Sequence, residues 1–484
     1  MNKKILAAKS TSHWFTLKSV GLACLLACSS SLQAQQMSAP PANVELGRQV
    51  LSELVAVKSV HSLGSTKAAK LLADRFLAAG FSADDVHVLA PKTHPEKGNT
   101  VVRLRGKNQG KATLFIGHLD VVEAKREDWN FDPFQVTEKD GWLYGRGVID
   151  MLGQNSAMVA SLIRLKQEAF VPERDIIVAF TADEEAGGDA NGVDFLLKEH
   201  RSLVDAGLVI NPDAGEAAIK NGKKIYLTMQ TSEKMFLSFE VEVTDKGGHS
   251  SRPTKENPIY RLSRALARLS DYSFPLHLTD TVKLYFKGRA ALEQGQVKKD
   301  MFAVSGDKPD LAAARRLSQE VETNIQMRTT CTATEISGGH AENALPQRTK
   351  ATIQCRVVPG ETQAGTEALL KQVMRDPSVK FSVRTPARPS PESAPSGPVR
   401  AAVERVTKSM WPEIAVLPSM TAGASDSIYT RAAGIPTYGV DAMFDDLDDG
   451  RAHGRDERIH VKVYAQELEF MYRLMKAIDQ VPVK

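Results

Sequence analysis

Residues 174–188 read RDIIVAFTADEEAGG. The first half is an apolar run with the length and composition of a buried strand. The second half sets Asp183, Glu184 and Glu185 side by side at its end. Crowded carboxylates would repel one another there, and burying any of them would be costly. Either they face water or something cationic holds them together. Adjacent residues on a regular strand point to opposite faces. Glu184 and Glu185 can converge only if the chain has left the strand, which Gly187 and Gly188 permit.

Around this run, DDVHVLAP, NTVVRLRG, ATLFIGHLD and AGLVINPD read as further strands, and NSAMVASLIRLKQEA and NGVDFLLKEH as helices. Two helical stretches precede them within 44–80, the second ending at Gly80. Helices alternating with continuous apolar strands predict an α/β fold with a mixed, mainly parallel sheet covered on both faces. Near residue 222 the pattern changes. KIYLTMQ and KMFLSFEVEVTD alternate apolar and polar, as half-exposed antiparallel strands do. A strand–helix–strand–strand–helix–strand order follows, interrupted by a polar stretch at about 272–328 with weak signals. It predicts an inserted α+β sandwich. After PARPSPESAPSGP, read as a linker, the helix and strand alternation resumes. The expected organisation is a leader over 1–36, one domain in two pieces (38–221 and 389–484), and an inserted domain over 222–388.

The chain has 484 residues, 42% hydrophobic and 25% charged, and a net charge of +4 from 62 basic and 58 acidic residues. So balanced a charge gives no reason to invoke nucleic acid. The N-terminus has a basic start, an apolar stretch SVGLACLLAC, then small and polar residues. It reads as a secretory signal. Cleavage after Ala34 would release a soluble protein. LLAC also resembles a bacterial lipobox, with Cys28 as the lipidated residue. A buried N-terminal helix is the third reading. No later segment is long and apolar enough to cross a membrane. Cys331 and Cys355 lie in strand-like stretches. They form one disulfide if those strands pair in an oxidising compartment, or remain two buried thiols.

Several apolar segments deliver a metal-binding side chain at their ends. GHLD carries His118 and Asp120, two apart and so on one face. An Asp beside a ligating His commonly orients the ring. WLYGRGVIDMLG places Asp150 after a glycine-rich turn and before a helix, where capping is the plain alternative. LVINPDAGE ends on Asp213, and DDGRAHGRDERIH offers His453. In open α/β sheets the functional crevice lies at the carboxyl ends of the strands. Two imidazoles with several carboxylates and no thiolate suit zinc, and also cobalt or manganese. The acids are too many for one four-coordinate zinc, which favours two metals with a bridging carboxylate.

At this point the chain resembles the co-catalytic dinuclear zinc hydrolases that include aminoacylases, carboxypeptidase G, Gly-X carboxypeptidases, dipeptidases and succinyl-diaminopimelate desuccinylase. The motifs that carry the resemblance run in order: GHLDVV, DPFQVTEKDGWLYGRGVIDM, DEEAGG, PDAGE, KGGHSSRP, ENALP, CRVVPG, GASDS and HGRDERI. It implies a zinc-exopeptidase-like mixed sheet flanked by helices, with an inserted lid and dimerisation domain. It implies that His118 and Asp213 bind one zinc, Glu185 and His453 the other, and that Asp150 bridges them. Asp120 would orient His118. Glu184 would be the general base, passing a proton from the metal-bridging water to the leaving amine. His249 looks like the lid histidine that stabilises the oxyanion, often across a dimer. Asn343, Arg356 and the loop with Gly423 and Ser425 look like contacts for the substrate's carboxylate and backbone. The expected activity is exopeptidase cleavage of an amide next to a free carboxylate in short peptides, with deacylation of N-acyl amino acids as the rival and a non-catalytic peptide-binding protein as a distant one. The expected location is the bacterial periplasm. Two departures touch packing and substrate preference: Leu152 stands where the family usually has Lys, and GASD replaces its GG-S/T-D. The 272–328 stretch also enlarges the lid, leaving the homodimer and the partner-subunit role of His249 open.

Overall fold

The computed structural model describes residues 37–186 and 190–483. The leader with Cys24, Cys28 and Ala34 lies outside the described residues, as do Gly187 and Gly188. The central sheet runs in the order Val86–Leu89, Asn99–Leu104, Ile176–Thr181, Ala112–His118, Ala206–Ile210, Thr437–Tyr438. The first two pairings are antiparallel and the last three parallel. Ile176–Thr181 and Ala112–His118 are buried along their whole length, hence their unbroken apolar character.

Successive side chains leave the sheet on opposite faces. Phe115, Val178 and Phe180 join a core with helices Pro41–Val57, Thr66–Ala78, Leu152–Gln167 and Val461–Asp479. Leu114, Ile116, Ile177 and Ala179 join a second core with helix Gly192–Glu199 on the other side. The three neighbouring parallel strands that begin at Ala112, Ile176 and Ala206 therefore end on one edge. That edge carries His118, the Asp183–Glu185 run and Asp213.

A second sheet holds Ala415–Thr421, Lys223–Glu233, Ala217–Lys220 and Phe444–Asp446 in that order. This corrects one expectation. KIYLTMQ does not belong with the inserted strands: residues 226–233 run parallel to 415–421 and are mostly buried. The alternation implies one exposed face, but residues 226–233 are buried on both, with a parallel partner strand that lies far along the chain.

A third sheet, Thr330–Gly338, Arg348–Val357, Met235–Thr244, Lys380–Thr385, is antiparallel throughout. Helices Pro258–Ser270 and Gln363–Met374 complete its separate core. Cys331 and Cys355 are register partners in it and form a disulfide. The weakly patterned stretch folds into four helices, Asp280–Leu292, Gly295–Val304, Leu311–Leu317 and Val321–Met327. They close around Val282, Phe286, Met301, Val304 and Leu317, with Met420 of the second sheet in the same cluster. Among the described residues no helix is long and apolar enough to cross a membrane.

Candidate metal centre

His118 closes its strand with a side chain 2% exposed. Its Nδ1 donates to the main-chain carbonyl of Asp120 at 2.9 Å. That bond fixes the tautomer, so Nε2 is the free ligand atom. Nε2 lies 3.1 Å from Asp150 Oδ1 and 3.6 Å from Asp213 Oδ1. On the other side His453 Nε2 lies 3.1 Å from Asp150 Oδ2 and 2.9 Å from Glu185 Oε1. His118, Asp150 and Asp213 form one group whose ligand atoms fall within 4.8 Å of one another, and Asp150, Glu185 and His453 form a second. Asp150 belongs to both, with one oxygen turned to each.

The role expected of the Asp120 side chain needs correction. Its carboxylate is 3.9 Å from His118 Nδ1 at best. It instead accepts the amides of Glu184 at 3.1 Å and Glu185 at 3.0 Å. Asp120 orients the imidazole through its carbonyl and the two acids through its carboxylate. The N-cap of the helix that follows is Met151, which makes no side-chain cap.

Two loops must meet for this geometry, and a buried ion pair joins them. Arg146 Nη1 donates to Glu457 Oε2 at 2.7 Å, and its Nη2 donates to the carbonyl of Gly454 at 3.0 Å, beside His453. Glu457 in turn accepts the amides of Gly147, Ile149 and Asp150 at 3.0, 2.8 and 3.2 Å. Gly147, at φ 85°, has Val121 and Leu152 so close that a Cβ would meet them at 2.7–2.9 Å. Neither Arg146 nor Glu457 was a candidate from the sequence, although both lie inside the quoted motifs.

The electrostatics show what the cluster lacks. Burial works against a charged His118, but Asp150 and Asp213 hold it well above the ordinary imidazole range. Asp150 and Glu185 push His453 up to about 10. Burial, then the charge of Asp213, pushes Glu184 up to about 10. Protons are thus drawn into the cluster to offset its carboxylates. Divalent cations would do the same with the donor set present, imidazole and carboxylate, so the residues fit two metals. Nearby, burial pushes Asp426 up to about 7, and its carboxylate accepts from Asn191 at 2.6 Å.

The description "Peptidase family M20/M25/M40" matches residues 114–477, well over half the chain. The chain belongs to this family. It is 28% identical over 387 residues to human N-fatty-acyl-amino acid synthase/hydrolase PM20D1, covering 76% of this chain and 75% of that one. It is also 28% identical over 385 residues to a probable carboxypeptidase S-like 2 of Dictyostelium discoideum, covering 76% and 72%. The fold is shared with the M20 family metallo-carboxypeptidase Sso-CP2 of Sulfolobus solfataricus, at a TM-score of 0.67 and 18% identity over 90% of this chain and 99% of that one. This M20 chain is a hydrolase of amide bonds in peptides or N-acyl amino acids.

Of the expected substrate contacts, Ser425 lines one cavity with Asp150 and Asp213, while His249, Asn343 and Arg356 belong to the inserted domain. His249 is exposed in a two-stranded pairing with Ala344, and its Nδ1 accepts from the Ser251 amide at 3.1 Å. Asn343 is exposed beside it, its carbonyl accepting from Ser250. Arg356 lies over the Phe236 ring at 5.0 Å, with a buried Nη1 that has no hydrogen-bond partner among the described residues. Gly423 is exposed, whereas Ser425 is buried and donates to Glu233 Oε2 at 2.9 Å.

Proposed function

We propose that the chain is a two-metal exopeptidase that cleaves the amide next to a free carboxylate in short peptides. The observation that carries this reading is the pair of ligand groups sharing Asp150, with Glu184 beside them. His118 and Asp213 would hold one cation, Glu185 and His453 the other, and Asp150 both, with zinc the best fit to these donors and cobalt or manganese able to replace it. Bound there, two dications supply Lewis acidity that acidifies water and polarises a carbonyl. Glu184 takes the proton from the attacking water and delivers it to the leaving amine. Its high proton affinity in the bare cluster falls once cations offset Asp213. The guanidinium of Arg356, whose Nη1 has no hydrogen-bond partner among the described residues, would pair with a substrate carboxylate. His249 would reach the oxyanion when the lid closes.

N-acyl amino acid deacylation is the second reading, supported by the name of the human relative. A panel of dipeptides and N-acyl amino acids on the metal-loaded protein, with metal content measured, separates the two. Dipeptide turnover with two metals per chain is expected; turnover of acyl substrates alone would overturn the peptidase reading. We further propose export to the periplasm, either soluble or anchored at Cys28, on the leader pattern and on a disulfide that suits an oxidising compartment. A homodimer through the inserted domain rests on the family resemblance alone.

A further inference from the structure

Asp183 is the acid of the run that neither binds metal nor moves protons in the reading above. Its φ is 63°, in the left-handed region that Asp and Asn adopt more readily than most residues. Its side chain is 1% exposed, and the ammonium of Lys97, itself 5% exposed, stands 2.5 Å from its Oδ1. A buried ammonium has three donors to satisfy. Lys97 donates to Asp183 Oδ1 and to the carbonyl of His61 at 3.0 Å, and His61 Nδ1, 2.8 Å from the same carboxylate oxygen, donates to it as well.

The segment Lys97–Asn99 acts on this turn twice. Asn99 Oδ1 accepts from the Ala182 amide at 2.9 Å, while Nδ2 donates to the carbonyls of Leu89 and Lys97. Four consecutive residues are therefore pinned. Asn99 holds Ala182, Lys97 holds Asp183, and Asp120 holds Glu184 and Glu185. The pins come from the chain flanking both neighbours of strand Ile176–Thr181, Asn99–Leu104 on one side and Ala112–His118 on the other.

A buried ion pair gains little stability over an apolar pair of similar size. An apolar pair, however, cannot hold a main-chain kink by a directional bond. We propose that Lys97 and Asp183 form a buried clamp that fixes the turn after Thr181 and so sets the positions of Glu184 and Glu185. Lys97 is then a positioning residue for the metal pair and the proton carrier, which rests on the roles assigned to those two glutamates above.

The test compares Lys97→Met, Asp183→Asn and the double variant K97M/D183N by thermal melting, steady-state kinetics and visible absorption of the cobalt-loaded protein. K97M leaves the buried carboxylate with only the exposed His61 beside it and melts lower. The double variant removes both charges and keeps a residue that tolerates positive φ, so its melting temperature returns toward that of the wild type. Its turnover stays low, with kcat down about 10- to 100-fold and KM little changed, because a displacement of about 1 Å has that effect. Its cobalt spectrum is altered, since Glu185 has moved. A folded K97M/D183N with wild-type kcat and cobalt spectrum overturns the clamp, and this variant decides the matter even if K97M does not fold. If the wild type turns over neither peptides nor N-acyl amino acids, the functional reading fails, while the cobalt spectra still decide the clamp.

Discussion

Asp120 holds Glu184 by its main chain: the Glu184 amide donates to Asp120 Oδ1 at 3.1 Å, and the next amide, of Glu185, donates to Oδ2 at 3.0 Å. Asn in its place keeps one acceptor and turns a donor toward the other amide. An amide left unpaired costs about 1–3 kcal/mol. Asp120→Asn is expected to lose stability in that range in urea unfolding and to lower kcat, while His118, bonded to the carbonyl of residue 120, keeps its metal. Loss of the His118-side metal with stability unchanged would show that the carboxylate serves the imidazole instead.

Glu184 and Glu185 are adjacent in sequence, yet only Glu185 belongs to a ligand group. Glu184→Gln should therefore retain both metals and lose about 100- to 10,000-fold in kcat, the usual contribution of a positioned proton carrier. Glu185→Ala should lose metal from the His453 side. Metal content per chain and turnover, measured on both variants, check the division of labour. Substantial turnover in metal-loaded E184Q would remove Glu184 from the reaction.

What the sequence alone shows of the site depends on the range of each interaction. His118, Asp213 and the Asp183–Glu185 run follow apolar strands, so their place at a sheet edge is local information. The clamp between Lys97 and Asp183 and the pair of Arg146 with Glu457 join residues 86 and 311 apart, and no spacing rule connects them. The carbonyl of Asp120 that orients His118 has no side-chain signature at all. The four helices of 280–327 are short and gather round a small core of their own, so their pattern was weak. Strand Lys223–Glu233 alternates in sequence, yet residues 226–233 are buried throughout, because its partner strand lies far along the chain.

The proton affinities of the cluster set a sign for stability against pH. His453, pushed up to about 10 by Asp150 and Glu185, stabilises the metal-free fold fully below the unfolded imidazole value of about 6.5. That contribution is lost as pH rises through about 10. Glu184, neutral in the fold up to about 10 but ionised in the unfolded chain above about 4.3, acts in the same direction. Metal-free protein should melt lower at about pH 9 than at about pH 6.5. Cations bind the deprotonated ligands, so affinity should rise over the same interval, with protons released on binding. Melting with and without chelator at both pH values, and calorimetry in buffers of different ionisation enthalpy, test both statements. A metal-free melting temperature that rises with pH over this range would contradict them.

The Arg146–Glu457 pair makes the sharpest link between fold and site. Both side chains are buried, at 3% and 0% exposure, and the pair ties the loop bearing Asp150 to the loop bearing His453. Removing one partner leaves a buried charge, which typically costs about 3–5 kcal/mol. Glu457→Gln keeps the shape but loses the charge that faces the guanidinium. It should lower stability and weaken metal binding on the His453 side more than on the His118 side, because Asp213 and His118 are set by the central sheet. Arg146→Met should do the same from the other end, and the double variant should cost less than the sum, since each single change already breaks the pair. Stepwise metal titration of the three variants, alongside urea unfolding, reads both effects. Equal weakening of the two metals would mean that the pair supports the fold as a whole and does not align one loop with the other.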